Sequence, residues 1–218
     1  MTTLITANSV DDIQECIDRG DDINQEFPQY RSAFIYHCEK GNTDIVKYLV
    51  EKGCDINLND MVKGSGFQLV CQNGHVDLFD YLVDLVNIDG SNHEPILLGS
   101  TPLMGACDGH EEILRKLIEK GADIHLKNKL GCQAIHYANQ SNILHLLYMA
   151  GADINAGNVF RTTPLHRAVM SNNYELCKDL LNLGANPDLL DSEKLTPLMI
   201  AKEGNLLDII DLLENFGK

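Results

Sequence analysis

Histidine and cysteine are the residue types of this chain that could act as metal ligands, general bases or reactive thiols. The 218 residues include eight histidines and seven cysteines. The cysteines are odd in number and scattered, and no two form a C-x-x-C pair, so neither a zinc site nor a disulfide framework is indicated. No metal-ligand spacing to a cysteine or carboxylate is found for His37, His93, His125 and His145. The sequence therefore predicts no metal site, and free thiols are typical of a reducing compartment.

Other catalytic signatures are equally weak. The segment Gly64-Ser65-Gly66 lacks the lysine and the preceding strand of a phosphate-binding loop. No nucleophile elbow is present, and acidic residues are so numerous that no catalytic carboxylate pair stands out. We expect a protein that is not an enzyme and that uses no cofactor.

A repeat in the sequence predicts the elements that hold these residues. Variations of gly-ala-asp-ile-asn recur at intervals of 33, 68, 30, 33 and 33 residues, and the interval of 68 hides one further member near Val86. Seven repeats result. The recurring glycines are Gly20, Gly53, Gly121, Gly151, Gly184 and Gly217.

A second landmark precedes these glycines. The string T-P-L-H or T-P-L-M begins at Thr101, Thr163 and Thr196, and weaker versions begin at Ser32, Ser65 and Gln133. Threonine caps a first helix whose first position is proline. Paired aliphatic residues such as those of DIVKYLV then form one stripe of a second helix, and the recurring glycine ends that helix in a left-handed conformation. A hairpin-like finger leads to the next repeat.

Two segments carry a resemblance to a known family. Residues 163–168, TPLHRA, and residues 151–155, GADIN, match the two halves of the ankyrin repeat signature, and the chain resembles the ankyrin repeat family over essentially its whole length. The resemblance implies an all-α repeat solenoid of stacked ankyrin helix-turn-helix units with hairpin-like fingers, forming a single domain over residues 1–218. The approximate repeats are 1–24, 25–57, 58–90, 91–125, 126–155, 156–188 and 189–218.

Among the departures from the family pattern, two concern the helices. The first has no T-P-L-H segment and reads as a shortened cap over Leu4 to Gly20. The fifth lacks about three residues between Asn139 and Ile143, so we expect a tight turn or a short first helix there.

The resemblance also implies structural roles for the residues that could do chemistry. His136 and His166 occupy the histidine position of T-P-L-H, where the family has a structural hydrogen-bonding residue. His75 and His110 match the family's residue at the turn between the two helices. At the second small-residue position of the first helix stand Cys38, Cys71 and Cys107, and we expect all three to be packing residues.

The formal net charge is −15, from 32 acidic and 17 basic side chains. This charge disfavours nucleic acid, whose affinity depends on lysine and arginine. It favours a protein partner with a basic surface, although solubility alone explains it equally well. No apolar run reaches eighteen residues, so no membrane span is predicted, and the N-terminus lacks the pattern of a signal peptide. We expect a cytoplasmic protein, or one delivered into a host cytosol if it is an effector.

The function that the resemblance implies is a non-enzymatic protein–protein interaction module, namely an adaptor, inhibitor or effector. Its partner would bind the concave face formed by the fingers and first helices. The alternative is an immunity-type neutraliser of a basic toxin or enzyme; an enzyme or a self-assembling scaffold built on the array is less favoured. A monomer is expected.

Apolar residues at four successive fingertips are the predicted contact stripe. The alternative is that these tips pack against one another and leave little apolar surface exposed. Two tyrosines at equivalent first-helix positions are either anchors for the partner or packing spacers. The stripe comprises Met61, Val62, Leu97, Leu98, Leu130, Val159 and Phe160, and the tyrosines are Tyr36 and Tyr137.

Overall fold

The protein is described by a computed structural model that covers residues 2–27, 32–60, 64–90 and 99–216. In these residues twelve α-helices and one 3₁₀ helix follow one another, and two short strands form a single hairpin. The predicted all-α repeat fold is therefore confirmed. The α-helices are α1 (Val10–Asp18), α2 (Ala33–Lys40), α3 (Thr43–Glu51), α4 (Gly66–Asn73), α5 (Val76–Leu82), α6 (Pro102–Ala106), α7 (Glu111–Glu119), α8 (Ser141–Met149), α9 (Pro164–Met170), α10 (Tyr174–Asn182), α11 (Pro197–Glu203) and α12 (Leu207–Asn215).

The chain forms two compact units, residues 1–106 and residues 107–218. In the first unit, α2 packs on α3 and α4, and α4 packs on α5 and α6. In the second unit, α9 packs on α10 and α11, and α12 packs on α10 and α11. Within each unit, α2, α4 and α9 thus contact their own second helix and the first helix of the next repeat, as expected when single repeats cannot close a core alone. The single-domain assignment and the repeat boundaries stay predictions.

The first helices begin where the sequence predicts. The hydroxyl of Thr163 accepts a hydrogen bond from the backbone N–H of His166, and Thr196 does the same for Met199. Proline follows each threonine at the first turn, where its missing N–H leaves no hydrogen bond unmade. Ser32 caps α2 in the same way. These confirmed caps fix the entry of each finger into its helix.

The second helices bury the predicted aliphatic stripe. In α3 the buried residues are Ile45, Val46 and Leu49, and α7 repeats the spacing with its own aliphatic residues. In the N-terminal unit the rings of Phe67 and Phe79 stack with their centroids 5.5 Å apart. The recurring glycines, which end these helices at positive φ as predicted, are Gly20, Gly53, Gly121, Gly151 and Gly184.

The fingers are short hairpins. One of them contains antiparallel strands, β1 (Asn59–Asp60) and β2 (Gly64–Ser65). Others are closed by a single backbone bond; the N–H of Asn158, for example, donates to the carbonyl of Thr162 at 3.2 Å.

The first and fifth repeats, which depart from the family pattern in sequence, also differ from the other repeats in structure. The predicted first repeat contains one α-helix, α1, among its described residues, and its role as a shortened cap stays a prediction. In the fifth repeat the missing residues shorten the first helix to a 3₁₀ helix of four residues, Ala134–Tyr137, as one of the two expected outcomes. Among the described residues, no helix has the length and apolar character needed to cross a membrane.

Candidate functional site

The histidines of the T-P-L-H position lie inside the protein. Nδ1 of His166 is 2.8 Å from the Thr163 hydroxyl oxygen, and its Nε2–H donates to the carbonyl of Leu195 at 3.2 Å. Nδ1 of His136 accepts the backbone N–H of Gln133 at 3.1 Å, while its buried Nε2 lacks a partner among the described residues. Burial lowers the pKa of both imidazoles. His166 thus ties its cap to the next finger, the structural role that the resemblance implied, and His136 bonds to its own cap.

A third buried histidine, His37, was assigned no role from the sequence. Its Nε2–H donates to the carbonyl of Leu4 at 2.7 Å, and its Nδ1 accepts a hydrogen bond from the Asn42 amide at 2.8 Å. The ring therefore connects the N-terminal segment to the second repeat. In the repeats whose first helices are capped by Thr163 and Thr196, the residue five positions after the threonine is alanine; five positions after Ser32 it is His37. This alignment with a small residue was the signal in the sequence that the His37 side chain packs inside.

The cysteines are packing residues. All seven are buried, and Cys38, Cys71 and Cys107 have no exposed surface, which confirms their predicted role. Burial raises the pKa of the Cys54 and Cys177 thiols to about 12. Within the described residues, no cluster of three or more histidine, cysteine or acidic side chains could hold a metal ion.

The fingertips of the C-terminal unit are joined through their backbones. The N–H of Val159 donates to the carbonyl of Leu130 at 3.0 Å, and the N–H of Ser192 donates to the carbonyl of Phe160 at 2.8 Å. These two bonds connect the tips of the fifth, sixth and seventh repeats into one row. The backbone of the tips is thus held in place by its neighbours.

A side chain inside each tip shapes its turn. Oδ1 of Asn158 accepts the backbone N–H of Phe160 at 2.9 Å and of Thr162 at 3.0 Å. Asn128 and Asp191 form the same pair of bonds in the neighbouring fingers. Such turns recruit asparagine and aspartate because their short side chains can bond to the backbone two residues on.

The side chains of the tips differ in exposure. Val159 is 60% exposed and Phe160 is 52% exposed, whereas Leu130 is half-buried. Backbone stacking therefore leaves the apolar side chains of the sixth finger at the surface. The predicted stripe residues that lie outside the described residues are Met61, Val62, Leu97 and Leu98.

The two tyrosines are half-buried and already make contacts within the chain. The Tyr137 hydroxyl accepts a hydrogen bond from the Asn128 amide at 2.7 Å, and the Arg167 guanidinium lies 5.2 Å from the ring centroid. The ammonium of Lys40 lies 5.8 Å from the ring centroid of Tyr36. For Tyr137 these contacts favour the role of packing spacer, because its hydroxyl positions the finger that carries Leu130.

Comparison with known proteins agrees with this geometry. A family model described as ankyrin repeats in three copies matches residues 54–128 and 132–217, and a single-repeat model matches residues 29–58. An ankyrin repeat protein of Acanthamoeba polyphaga mimivirus is 38% identical over 73 residues, which are 34% of this chain and 45% of the relative.

Similar relatives include larger proteins. The B-cell lymphoma 3 protein homolog of Mus musculus is 32% identical over 130 residues, covering 57% of this chain and 28% of the relative. The tyrosine-protein kinase Shark of Drosophila melanogaster is 29% identical over 135 residues, covering 60% and 14%. The match spans less than half the length of each of these relatives.

Proposed function

Because the chain belongs to the ankyrin repeat family, we propose that it is a non-enzymatic protein–protein interaction module, acting as an adaptor, inhibitor or effector. The partner binds the side formed by fingers and first helices, with Leu130, Val159 and Phe160 at the centre of the contact. The observation that carries the proposal is the exposure of Val159 and Phe160 on a finger whose backbone is bonded to both neighbours.

The energetics favour such a surface. Complete burial of a side chain the size of phenylalanine or valine contributes about 1.5–3 kcal/mol. Since Val159 and Phe160 are about half exposed in the free chain, covering each of them contributes about half of that amount to the binding free energy. A tip held by hydrogen bonds to its neighbours loses little conformational entropy on binding. Met170, at the end of α9, is 67% exposed and adds an apolar side chain to the surface of that first helix.

The remaining predicted positions complete the proposal. Met61, Val62, Leu97 and Leu98 stay predicted members of the contact stripe. Tyr36 stays a predicted anchor, and Tyr137 is proposed to act by positioning the fifth finger.

The test uses two double variants with equal changes in charge. Val159→Asp with Phe160→Asp alters the fingertip, and Tyr148→Asp with Met149→Asp alters exposed apolar residues of the second helix α8. Each chain is used for affinity capture from the cells that produce it, and captured proteins are quantified by mass spectrometry. We expect the fingertip variant to lose the partner that both the native chain and the α8 variant retain.

Circular dichroism melts accompany the capture, so that loss of binding is separated from unfolding. A partner captured equally by all three chains would contradict the proposed surface.

A neutraliser of a basic toxin or enzyme is the second candidate, and the net charge of −15 is the observation that favours it. Its association rate would fall steeply with salt, because long-range attraction is screened beyond about 8 Å at physiological ionic strength. We further propose that the protein acts as a monomer in a cytosol, its own or that of a host; the free cysteines and the similarity to a viral protein support that location.

A further inference from the structure

Cationic side chains cluster at the row of fingertips in the C-terminal unit. Lys127, Lys129, Arg161 and Lys194 are exposed, and none of them forms an ion pair with a described residue. Three cations on the helices of the same unit are paired with acids. Arg115 pairs with Glu111 at 2.7 Å, Lys116 with Glu112 at 3.1 Å and Lys202 with Glu214 at 2.7 Å.

Two of the cations occupy a position that the turn itself does not favour. Arg161 has a φ of 57° and Lys194 a φ of 66°, while Gly131 holds the equivalent place in the fifth finger with a φ of 71°. Left-handed backbone costs free energy for any residue with a Cβ, and glycine avoids that cost. Turn formation therefore gives no reason for a cation at these places, and such outliers are typical of functional surfaces.

The net charge of the whole chain does not reflect the cations at these fingertips. Residues 1–106 contain 17 acidic and 6 basic side chains, whereas residues 107–218 contain 15 acidic and 11 basic ones. Within residues 107–218, the four second helices α7, α8, α10 and α12 hold eight of the acidic and three of the basic side chains. The excess of acid lies on the second helices, and the fingers and first helices are close to neutral.

The acids at the tips do not cancel the cations. Oδ1 of Asp191 accepts hydrogen bonds from the backbone N–H groups of Glu193 and Leu195 at 2.8 and 3.0 Å. Glu193 is the one exposed carboxylate among the described tip residues 127–131, 158–161 and 191–194. A contacting partner therefore meets more positive than negative charge.

Apolar surface lies directly beside these cations. Arg161 follows Phe160 in the chain, and the carbonyl of Phe160 is bonded to the finger that carries Lys194. At the base of these two fingers is an open cleft of about 230 Å³, lined by Arg161 together with Leu189 and Leu190. The cleft offers a cation and apolar walls to the same side chain of a partner.

We infer that the segment docking on these tips is an acidic–apolar peptide segment of the partner, a conclusion that rests on the proposed function. An apolar side chain covers Val159 and Phe160, and carboxylates beside it are bound by Arg161 and Lys194. Arginine suits this role because its guanidinium can donate two parallel hydrogen bonds to one carboxylate. Within the C-terminal unit the excess of acid lies on the second helices, and charges farther than about 8 Å from the contact are screened at physiological ionic strength, so they oppose an acidic partner weakly.

The test selects random peptides of about a dozen residues, displayed on phage, against the immobilised full chain. The expected peptides contain aspartate or glutamate next to leucine, phenylalanine or another apolar residue. The enriched peptides are then synthesised with a fluorophore and titrated against each variant by anisotropy. Arg161→Gln with Lys194→Gln removes the two charges, while Arg115→Gln with Lys178→Gln makes the same change in charge on the second helices α7 and α10.

The Arg161→Gln, Lys194→Gln variant is expected to bind the acidic–apolar peptides about tenfold or more weakly, since hydrogen bonds between charged groups are roughly twice as strong as neutral ones. The helix variant should bind them as the native chain does, and added salt should narrow the difference. Enriched peptides that are basic or uncharged, or acidic peptides bound equally by both variants, would overturn the inference.

Two further measurements separate this inference from its premise. Peptides that bind through Val159 and Phe160 without carrying acids leave the proposed surface intact and overturn the inference alone. Failure to enrich any peptide relative to the Val159→Asp, Phe160→Asp chain overturns both. A single-stranded oligonucleotide that binds through Arg161 and Lys194 would assign the cations to nucleic acid and also overturn the inference.

Discussion

Replacing Arg161 by glycine is expected to stabilise the protein. Arg161 adopts a φ of 57° at the tip of the sixth finger, and Gly131 adopts a φ of 71° at the equivalent place in the fifth. The backbone N–H of Arg161 donates to the carbonyl of Asn158 at 2.9 Å, a bond that glycine keeps. The guanidinium makes no ion pair with a described residue, so the substitution removes strain and little else.

The magnitude follows from two opposing effects. Left-handed backbone costs a residue with a Cβ about 1–2 kcal/mol, which glycine recovers. Glycine also gives the unfolded chain more freedom, which removes about 0.4–1 kcal/mol of that gain. The net increase in the free energy of unfolding is therefore about 0.5–1 kcal/mol. In a chain of this length such a change raises Tm by about 1–4 °C.

The assay is urea unfolding followed by far-ultraviolet circular dichroism, with two matched variants. Arg161→Ala removes the same guanidinium but retains the Cβ, so it should not stabilise. Gly131→Ala introduces a Cβ at positive φ that would lie 2.9 Å from the backbone nitrogen of Val159, so it should destabilise by more than about 1 kcal/mol.

Equal stabilisation by Arg161→Gly and Arg161→Ala would refute the reasoning, because loss of the charge would then be the cause. Destabilisation by Arg161→Gly would refute it as well, because the arginine side chain would then make contacts that outweigh the strain. If the cation serves binding, Arg161→Gly should raise stability and lower the affinity for acidic–apolar peptides in the same protein.

Two further predictions concern the buried titratable groups. Burial lowers the pKa of His37, His136 and His166 below the usual value of 6.5, so the unfolded chain binds protons that the folded chain does not. The free energy of unfolding should therefore stay level above pH 6.5 and fall as the pH drops below 6.5, by at most about 1.4 kcal/mol per pH unit for each histidine. Urea titrations from neutral to mildly acidic pH measure this dependence. If His166→Gln leaves the slope of unfolding free energy against pH unchanged, the prediction is contradicted. Because burial raises the pKa of the Cys54 and Cys177 thiols to about 12, Ellman's reagent should label them slowly in the native protein and rapidly in urea, and fast native labelling would contradict their packing role.

Much of the fold follows from local chemistry that repeats. A threonine followed by proline begins a helix by satisfying its first N–H groups, and a glycine ends the next helix because it accepts positive φ. Thr163 and Gly184 therefore predict the bounds of α9 and α10 closely. The deletion in the fifth repeat predicted either a tight turn or a short first helix, because about one helical turn has to be absorbed inside the repeat, and the structure shows the short helix.

The candidate surface was less predictable because exposure is a property of packing between repeats. The sequence placed Leu130 and Phe160 at fingertips, but it was equally consistent with side chains exposed to solvent and with side chains packed against neighbouring tips. The distinction arises from the bond between Leu130 and Val159, which joins the backbones and leaves the side chains of Val159 and Phe160 exposed. The role of His37 was missed for a similar reason, since its partner Leu4 lies 33 residues away.

The sign of the charge at the fingertips shows why a repeat should be read position by position. The net charge averages over all helix surfaces, including those outside the proposed contact, so −15 carries no information about which side chains lie at the tips. Alignment of the repeats does carry that information, because Gly131, Arg161 and Lys194 all lie three residues before the first residue of a first helix or its equivalent. A glycine position occupied by a cation combines a folding cost with a charge at an exposed tip. Selection for folding alone would favour glycine at these two places. We therefore expect the cations there to determine which partner the chain binds.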